Sequence, residues 1–195
     1  MLAAEIFYHN LNFIIPGGTS RGILKNKPTW YIKIYHNDNP SIFGLGECGP
    51  IQGLSIESGD KMMDQLKKVN ESINDLSSLD LSLFPSINFG IENALKDLKN
   101  GGKRIIFKNS FLQGKPIKIN GLIWMGDKDF MINQIKSKIE KGFSCLKLKI
   151  GYIDFMEEIS ILKNIRKQFN SKILEIRVDA NGAFSSKNVL QKLDT

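Results

Sequence analysis

Leu146-Lys147-Leu148-Lys149 is followed about thirty residues later by Arg177-Val178-Asp179-Ala180-Asn181. Apolar and polar residues alternate in both stretches, the period of a strand with one buried face. Leu146, Leu148 and Ile150 point to one side of the first strand, Lys147 and Lys149 to the other. In the second, Ile176, Val178 and Ala180 oppose Arg177, Asp179 and Asn181. Two lysines and a carboxylate from successive strands therefore converge on one face. Burying such charges is costly unless they are paired or bind a metal, so the pattern points to chemistry.

Around these strands the chain alternates strand and helix. Ile119 to Met125 is almost wholly apolar, as in a strand buried on both faces. Met131, Ile135 and Ile139 mark a helix ending at Lys141-Gly142, and Phe155, Ile159, Leu162, Ile165 and Phe169 mark another. Ser185 or Ser186 is placed to cap a third helix through Val189, Leu190 and Leu193. Three strand–helix units predict a parallel sheet with crossover helices. A closed eight-unit barrel needs roughly 250 residues. Residues 116–195 are therefore expected to be the start of an incomplete (β/α) barrel of TIM type, and the chain the N-terminal part of a longer protein. A complete three-stranded α/β domain is the alternative.

The first half has a different rhythm. Residues 2–15 and 29–36 are strand-like, Asn37-Asp38-Asn39-Pro40 is a turn, and Ile42 to Glu47 completes a third strand. Gly44 and Gly46 allow close approach of a backbone or ligand. Pro16 to Gly22 reads as a mobile glycine-rich loop between the first two strands. Met62 or Met63, Leu66, Val69, Ile73 and Leu76 recur at helical spacing. So do Ile87, Ile91, Ala94 or Leu95, and Leu98, before Gly101-Gly102 ends that helix. Strands followed by helices indicate an α+β domain over residues 1–115.

Composition narrows the function classes. The net charge is +7, but the lysines are scattered over helices among carboxylates, as on solvated faces, and no nucleic-acid motif is present. No stretch is apolar and long enough to span a bilayer, and the N-terminus lacks the pattern of a secretory signal. Cys48 and Cys145 stand far apart in no metal-ligand spacing, which fits a reduced, cytoplasmic setting. Cys145 reads as buried filler. His9 and His36 stand alone, so a histidine-based metal site or triad has little support.

In this order the motifs resemble the enolase superfamily, in its muconate-cycloisomerase-like branch. Gly44-Leu45-Gly46-Glu47 resembles a segment of its α+β capping domain, and Asn88 to Leu98 the helix before its barrel. Lys147-Leu148-Lys149 resembles the Lys-x-Lys element of the second barrel strand, and Asp179-Ala180-Asn181 the Asp-x-Asn element of the third. Thr19 to Gly22, Gly53 to Ser58 and Ile119 to Gly126 further resemble the o-succinylbenzoate synthase family of menaquinone biosynthesis.

The resemblance implies proton abstraction α to a carboxylate, assisted by Mg²⁺, on a small-molecule carboxylate substrate. Lys149 would be the base, and Lys147 would assist by charge: a neighbouring ammonium disfavours a second one. Asp179 would be the first of three carboxylate ligands to Mg²⁺, a hard cation suited to oxygen. Asn181 would orient Asp179 or its metal-bound water, or be an ordinary turn asparagine. Arg21, with Ser20 beside it, would bind a substrate carboxylate from a loop that closes over the barrel mouth; a solvated hairpin loop is the alternative. Glu47 and Glu92 read as structural. The implied reaction is dehydration of 2-succinyl-6-hydroxy-2,4-cyclohexadiene-1-carboxylate. Alternatives are a dipeptide epimerase, N-acylamino acid racemase or cycloisomerase on the same scaffold, and a non-catalytic truncated binding or assembly domain. The remaining metal ligands and an opposing lysine would lie beyond Thr195, so the chain alone is expected to be inactive. Oligomeric state is left open.

Overall fold

The computed structural model describes residues 1–19, 22–57 and 59–195. They form two compact units, residues 1–16 with 25–115, and residues 17–24 with 116–195. The architecture is an α+β capping region followed by three strand–helix units of an incomplete barrel, as the sequence predicts.

β1 (Leu2–Thr19), β2 (Gly22–His36) and β3 (Asn39–Cys48) form a sheet in that order, all but residues 17–19 and 22–24 falling in the first unit. β2 and β3 pair antiparallel, Trp30 opposite Cys48 and Ile34 opposite Gly44. The strand assignment of β1 extends to Thr19 and that of β2 begins at Gly22, so most of the expected loop from Pro16 is strand. Glycines weaken a strand without ending it. Helix α2 (Pro85–Lys99) lies on β3. A Cβ on Gly44 would stand 1.8 Å from Ala94 O, and one on Gly46 1.8 Å from Gly90 O, so bare backbone is required for this approach.

Polar groups fasten α2 at both ends. Glu57 Oε1 accepts from the Ser86 N–H at 2.5 Å, supplying the N-terminal cap that the side chain of Phe84 cannot. Asp97, fully buried, accepts from the Leu45 N–H at 3.1 Å, from the Arg104 N–H at 2.6 Å and from the Arg104 guanidinium. Trp30, Ile32, Ile34, Met62, Leu66, Val69, Ile87, Ile91 and Ala94 fill the core. Helix α1 (Gly59–Glu71) stops short of Ile73 and Leu76. Beyond it, Asn74 pairs with the Leu2 backbone in both directions, at 2.8 and 2.9 Å, and Leu76 falls in a separate 3-10 turn. Cys48 is buried, and burial first, then Glu47 and Glu57, push its thiol up to about 12. It is therefore a packing residue rather than a nucleophile.

In the second unit, β4 (Gly121–Ile123), β5 (Cys145–Lys149) and β6 (Glu175–Asp179) pair parallel in that order. Helices α3 (Lys128–Glu140) and α4 (Phe155–Gln168) connect them. Each starts at a side-chain cap. Asp127 accepts from the Phe130 N–H at 2.8 Å, and Asp154 from the Met156 and Glu157 N–H groups at 2.9 and 3.2 Å. Leu146 and Leu148 are fully buried with Ile123, Met131, Ile135, Ile161 and Ile165. Each contributes on the order of 1.5–3 kcal/mol of burial.

Three expectations are corrected here. β4 is three residues long rather than seven: the Gln134 carboxamide takes both backbone groups of Trp124 and ends it at Ile123, and Ile119 is exposed rather than buried. Helix α5 (Val189–Leu193) begins at Asn188 without a side-chain cap bond, so neither Ser185 nor Ser186 caps it. The Asn188 Oδ1 instead accepts from the Ser185 N–H at 3.0 Å and closes the preceding turn. Cys145 is half-buried rather than buried. No helix among the described residues is long and apolar enough to cross a membrane.

Candidate active site

Lys149 is the last residue of β5 and Asp179 the last of β6, so both stand at the C-terminal ends of parallel strands, where barrels of this type carry their chemistry. The register sets Lys147 opposite Arg177 and Lys149 opposite Asp179. With Leu146 and Leu148 turned into the core, both lysines take the other face and stay half-buried.

The acid and amines are engaged. Lys147 Nζ lies 2.9 Å from Asp179 Oδ2. The other oxygen, Oδ1, accepts from the Asn181 backbone N–H at 3.0 Å. The Lys147 bond first, then the Asn181 bond, with the charges of Lys147 and Lys149 adding, hold the Asp179 carboxyl below the usual aspartate range. Asn181 adopts the left-handed region at φ 46°, followed by Gly182 at φ 74°, so the chain turns directly after the bond to Asp179. Lys149 Nζ stands 4.6 Å from the centroid of the Trp124 ring. The Ile150 N–H donates to Asp179 O at 3.0 Å, tying the strand end that carries Lys149 to the residue that carries the carboxylate.

Lys147, Lys149, Asp179 and Asn181 are thus gathered in one place. Ser20 and Arg21 lie outside the described residues. Glu47 pairs with Lys27 at 2.9 Å and Glu92 with Lys96 at 3.7 Å. Among the described residues, no group of three or more His, Cys, Asp or Glu side chains is arranged to hold a metal. Asp179 offers hard oxygen donors, but the described residues do not by themselves fit a metal ion.

Two further residues belong to the site. The apolar run predicts a strand at Trp124, and the structure adds that its ring lies beside Lys149. Glu158, 2% exposed, sends its carboxylate under the turn after β5, where Oε1 accepts from the Gly151 and Tyr152 N–H groups at 2.7 and 3.2 Å. Among the described residues, its buried Oε2 has no hydrogen-bond partner. Burial pushes its carboxyl up, against bonds from Gly151, Tyr152 and Ile153 and the charge of Lys192. Its signal was available: Glu158, Ile161 and Ile165 fall at helical spacing on the buried stripe of α4.

A cap of this form, joined to parallel strand–helix units with an amine and a carboxylate at adjacent strand ends, is the enolase-superfamily fold in part. The chain is similar to the o-succinylbenzoate synthases. It is 36% identical over 230 aligned residues to o-succinylbenzoate synthase of Desulfotalea psychrophila, matching 99% of this chain and 62% of the relative. A crystal structure of MenC from Desulfotalea psychrophila superposes with TM-score 0.79 at 32% identity, covering 98% of this chain and 60% of that one. The o-succinylbenzoate synthase of Thermosynechococcus elongatus, complexed with Mg in the active site, shares the fold at TM-score 0.77 and 18% identity, covering 98% and 56%. The chain therefore spans about three fifths of the length of these relatives. No protein-family model matches it.

Proposed function

We propose that this chain supplies the capping domain and the first catalytic strands of an o-succinylbenzoate synthase, a carbon–oxygen lyase acting in menaquinone biosynthesis in the cytoplasm. The observation that carries this reading is the register that sets Lys149 opposite Asp179 at neighbouring strand ends, in a chain 36% identical to such a synthase.

Lys149, as the neutral amine, takes the proton α to the carboxylate of 2-succinyl-6-hydroxy-2,4-cyclohexadiene-1-carboxylate. The C–O bond to the hydroxyl group then breaks. The proton leaves Lys149 with that hydroxide as water, the ring becomes aromatic, and the amine is returned neutral. Lys147 assists by charge, attracting the anionic substrate while it holds Asp179. Arg21, with Ser20, binds a substrate carboxylate. Asn181 orients Asp179 through its backbone N–H.

Mg²⁺ would supply neutralisation of the negative charge that develops on the substrate carboxylate. This chain contributes one ligand toward it, Asp179, and a full barrel must contribute the rest. For that reason we propose that the 195-residue chain does not turn over by itself.

The test is to assay a full-length barrel carrying this chain for conversion of the cyclohexadiene carboxylate to the aromatic product, beside dipeptide epimerisation. Formation of the aromatic product, lost in Lys149→Ala, is expected. Epimerisation without dehydration would reassign the substrate, and near-normal dehydration in Lys149→Ala would remove Lys149 from the role of base.

A further inference from the structure

The two lysines of β5 are held by chemically different partners. Lys147 is taken by a carboxylate, whereas Lys149 Nζ rests 4.6 Å from the centroid of the Trp124 ring. β4 and β5 run in register with Leu122 opposite Lys147 and Ile123 opposite Leu148. One further step along that register sets Trp124 beside Lys149, on the face that carries both amines.

The backbone of Trp124 is pinned. Its N–H donates to Gln134 Oε1 at 2.9 Å, and its C=O accepts from Gln134 Nε2 at 3.0 Å. The same Nε2 also reaches Phe130 O at 3.4 Å, within α3. A helix side chain therefore ends the strand at Ile123 and fixes the direction in which the indole leaves it. An aromatic face attracts an ammonium, though more weakly than a carboxylate does. An amine held this way has a defined resting place and can still leave it to meet a substrate. An amine paired like Lys147 would have to break a full ion pair first.

We propose that Trp124 is the positioning residue for Lys149: its indole face sets where the ε-amine rests, and Gln134 holds that face in place. The functional meaning rests on Lys149 being the base. The contact itself is testable without substrate.

The test uses the 195-residue chain with its lysines isotope-labelled at Cε, observed by nuclear magnetic resonance. The Lys149 signal is assigned by its loss in Lys149→Arg. Protons above an aromatic face shift upfield, so the Lys149 Hε signal is expected upfield of exposed lysines, with a cross-peak to the Trp124 indole. Trp124→Phe, which keeps an aromatic face, is expected to retain part of the shift. Trp124→Leu should abolish it and leave the Lys147 signal in place, and Gln134→Ala should reduce it. A Lys149 signal at the exposed-lysine position with no indole cross-peak in the unsubstituted chain overturns the proposal, whatever the variants do. An upfield shift that survives Trp124→Leu overturns it as well. If the cross-peak is present but Lys149→Ala dehydrates normally in a full-length barrel, the role of Lys149 as base fails while the Trp124 contact stands.

Discussion

Lys147 Nζ lies 2.9 Å from Asp179 Oδ2 across the β5–β6 pair, so the amine nearest the carboxylate is not the one at the strand end. The bond stabilises the ionised acid and, with the Asn181 N–H, holds its carboxyl below the ordinary aspartate value of 3.8. A carboxyl depressed in the folded state stabilises the fold above that ordinary value. The contribution is lost as pH falls through the depressed one. The Asp179 carboxyl signal is expected to titrate below that of an exposed aspartate, and Lys147→Met should move its midpoint upward. An unchanged midpoint in Lys147→Met would show that the pair does not form in solution.

Glu158 shifts the other way, and its sign is opposite. Burial raises its carboxyl above the ordinary glutamate value of 4.5, so the folded chain holds that proton more tightly than the unfolded one. Between the ordinary and the raised value, stability falls as pH rises. Glu158→Gln keeps an acceptor for the Gly151 and Tyr152 N–H groups and removes the ionisation, so urea unfolding should lose that part of its pH dependence. Glu158→Ala removes the shared acceptor of the Gly151 and Tyr152 N–H groups, and should cost about 1 kcal/mol.

Gly46→Ala should weaken the capping unit. The added Cβ would stand 1.8 Å from Gly90 O, where only movement of α2 away from β3 makes room. Such overpacking costs about 1–3 kcal/mol, read as a lower midpoint in thermal unfolding. An unchanged midpoint would mean that the helix and sheet are not in this contact.

In a full-length barrel carrying this chain, Lys149→Ala should lower turnover by roughly 10²–10⁴-fold, the range for loss of a general acid or base, with metal binding largely kept. Isothermal titration with Mg²⁺ alongside the kinetic assay separates the two effects.

Much of the fold was legible because it is written in periodicity. The alternation over Leu146 to Ile150 predicts which side chains enter the core, and Leu146 and Leu148 are fully buried. The same alternation sets Lys147, Lys149 and Asp179 on one face, since a strand's pleat depends on local geometry alone. Boundaries were less legible where side chains compete for backbone groups. Gln134 shortens β4, Asn74 draws the chain out of the α1 spacing, and Asn188 closes a turn in place of capping a helix. The first two join groups 10 and 72 residues apart, whose meeting no local pattern announces, whereas Asn188 and Ser185 are 3 residues apart and compete locally with the cap.

The amino-acid order alone determined the order of elements, most of the residues that build each core and the face on which amines and acid gather, because these follow from repeats of two and 3.6 residues; Ile119 and Val178, read as buried, are exposed. Only the tertiary structure decided which amine meets which partner: Lys147 the carboxylate of Asp179, Lys149 the ring of Trp124. That choice depends on strand register and on a helix reaching back to the end of β4, and register is a relation between segments rather than a property of either one.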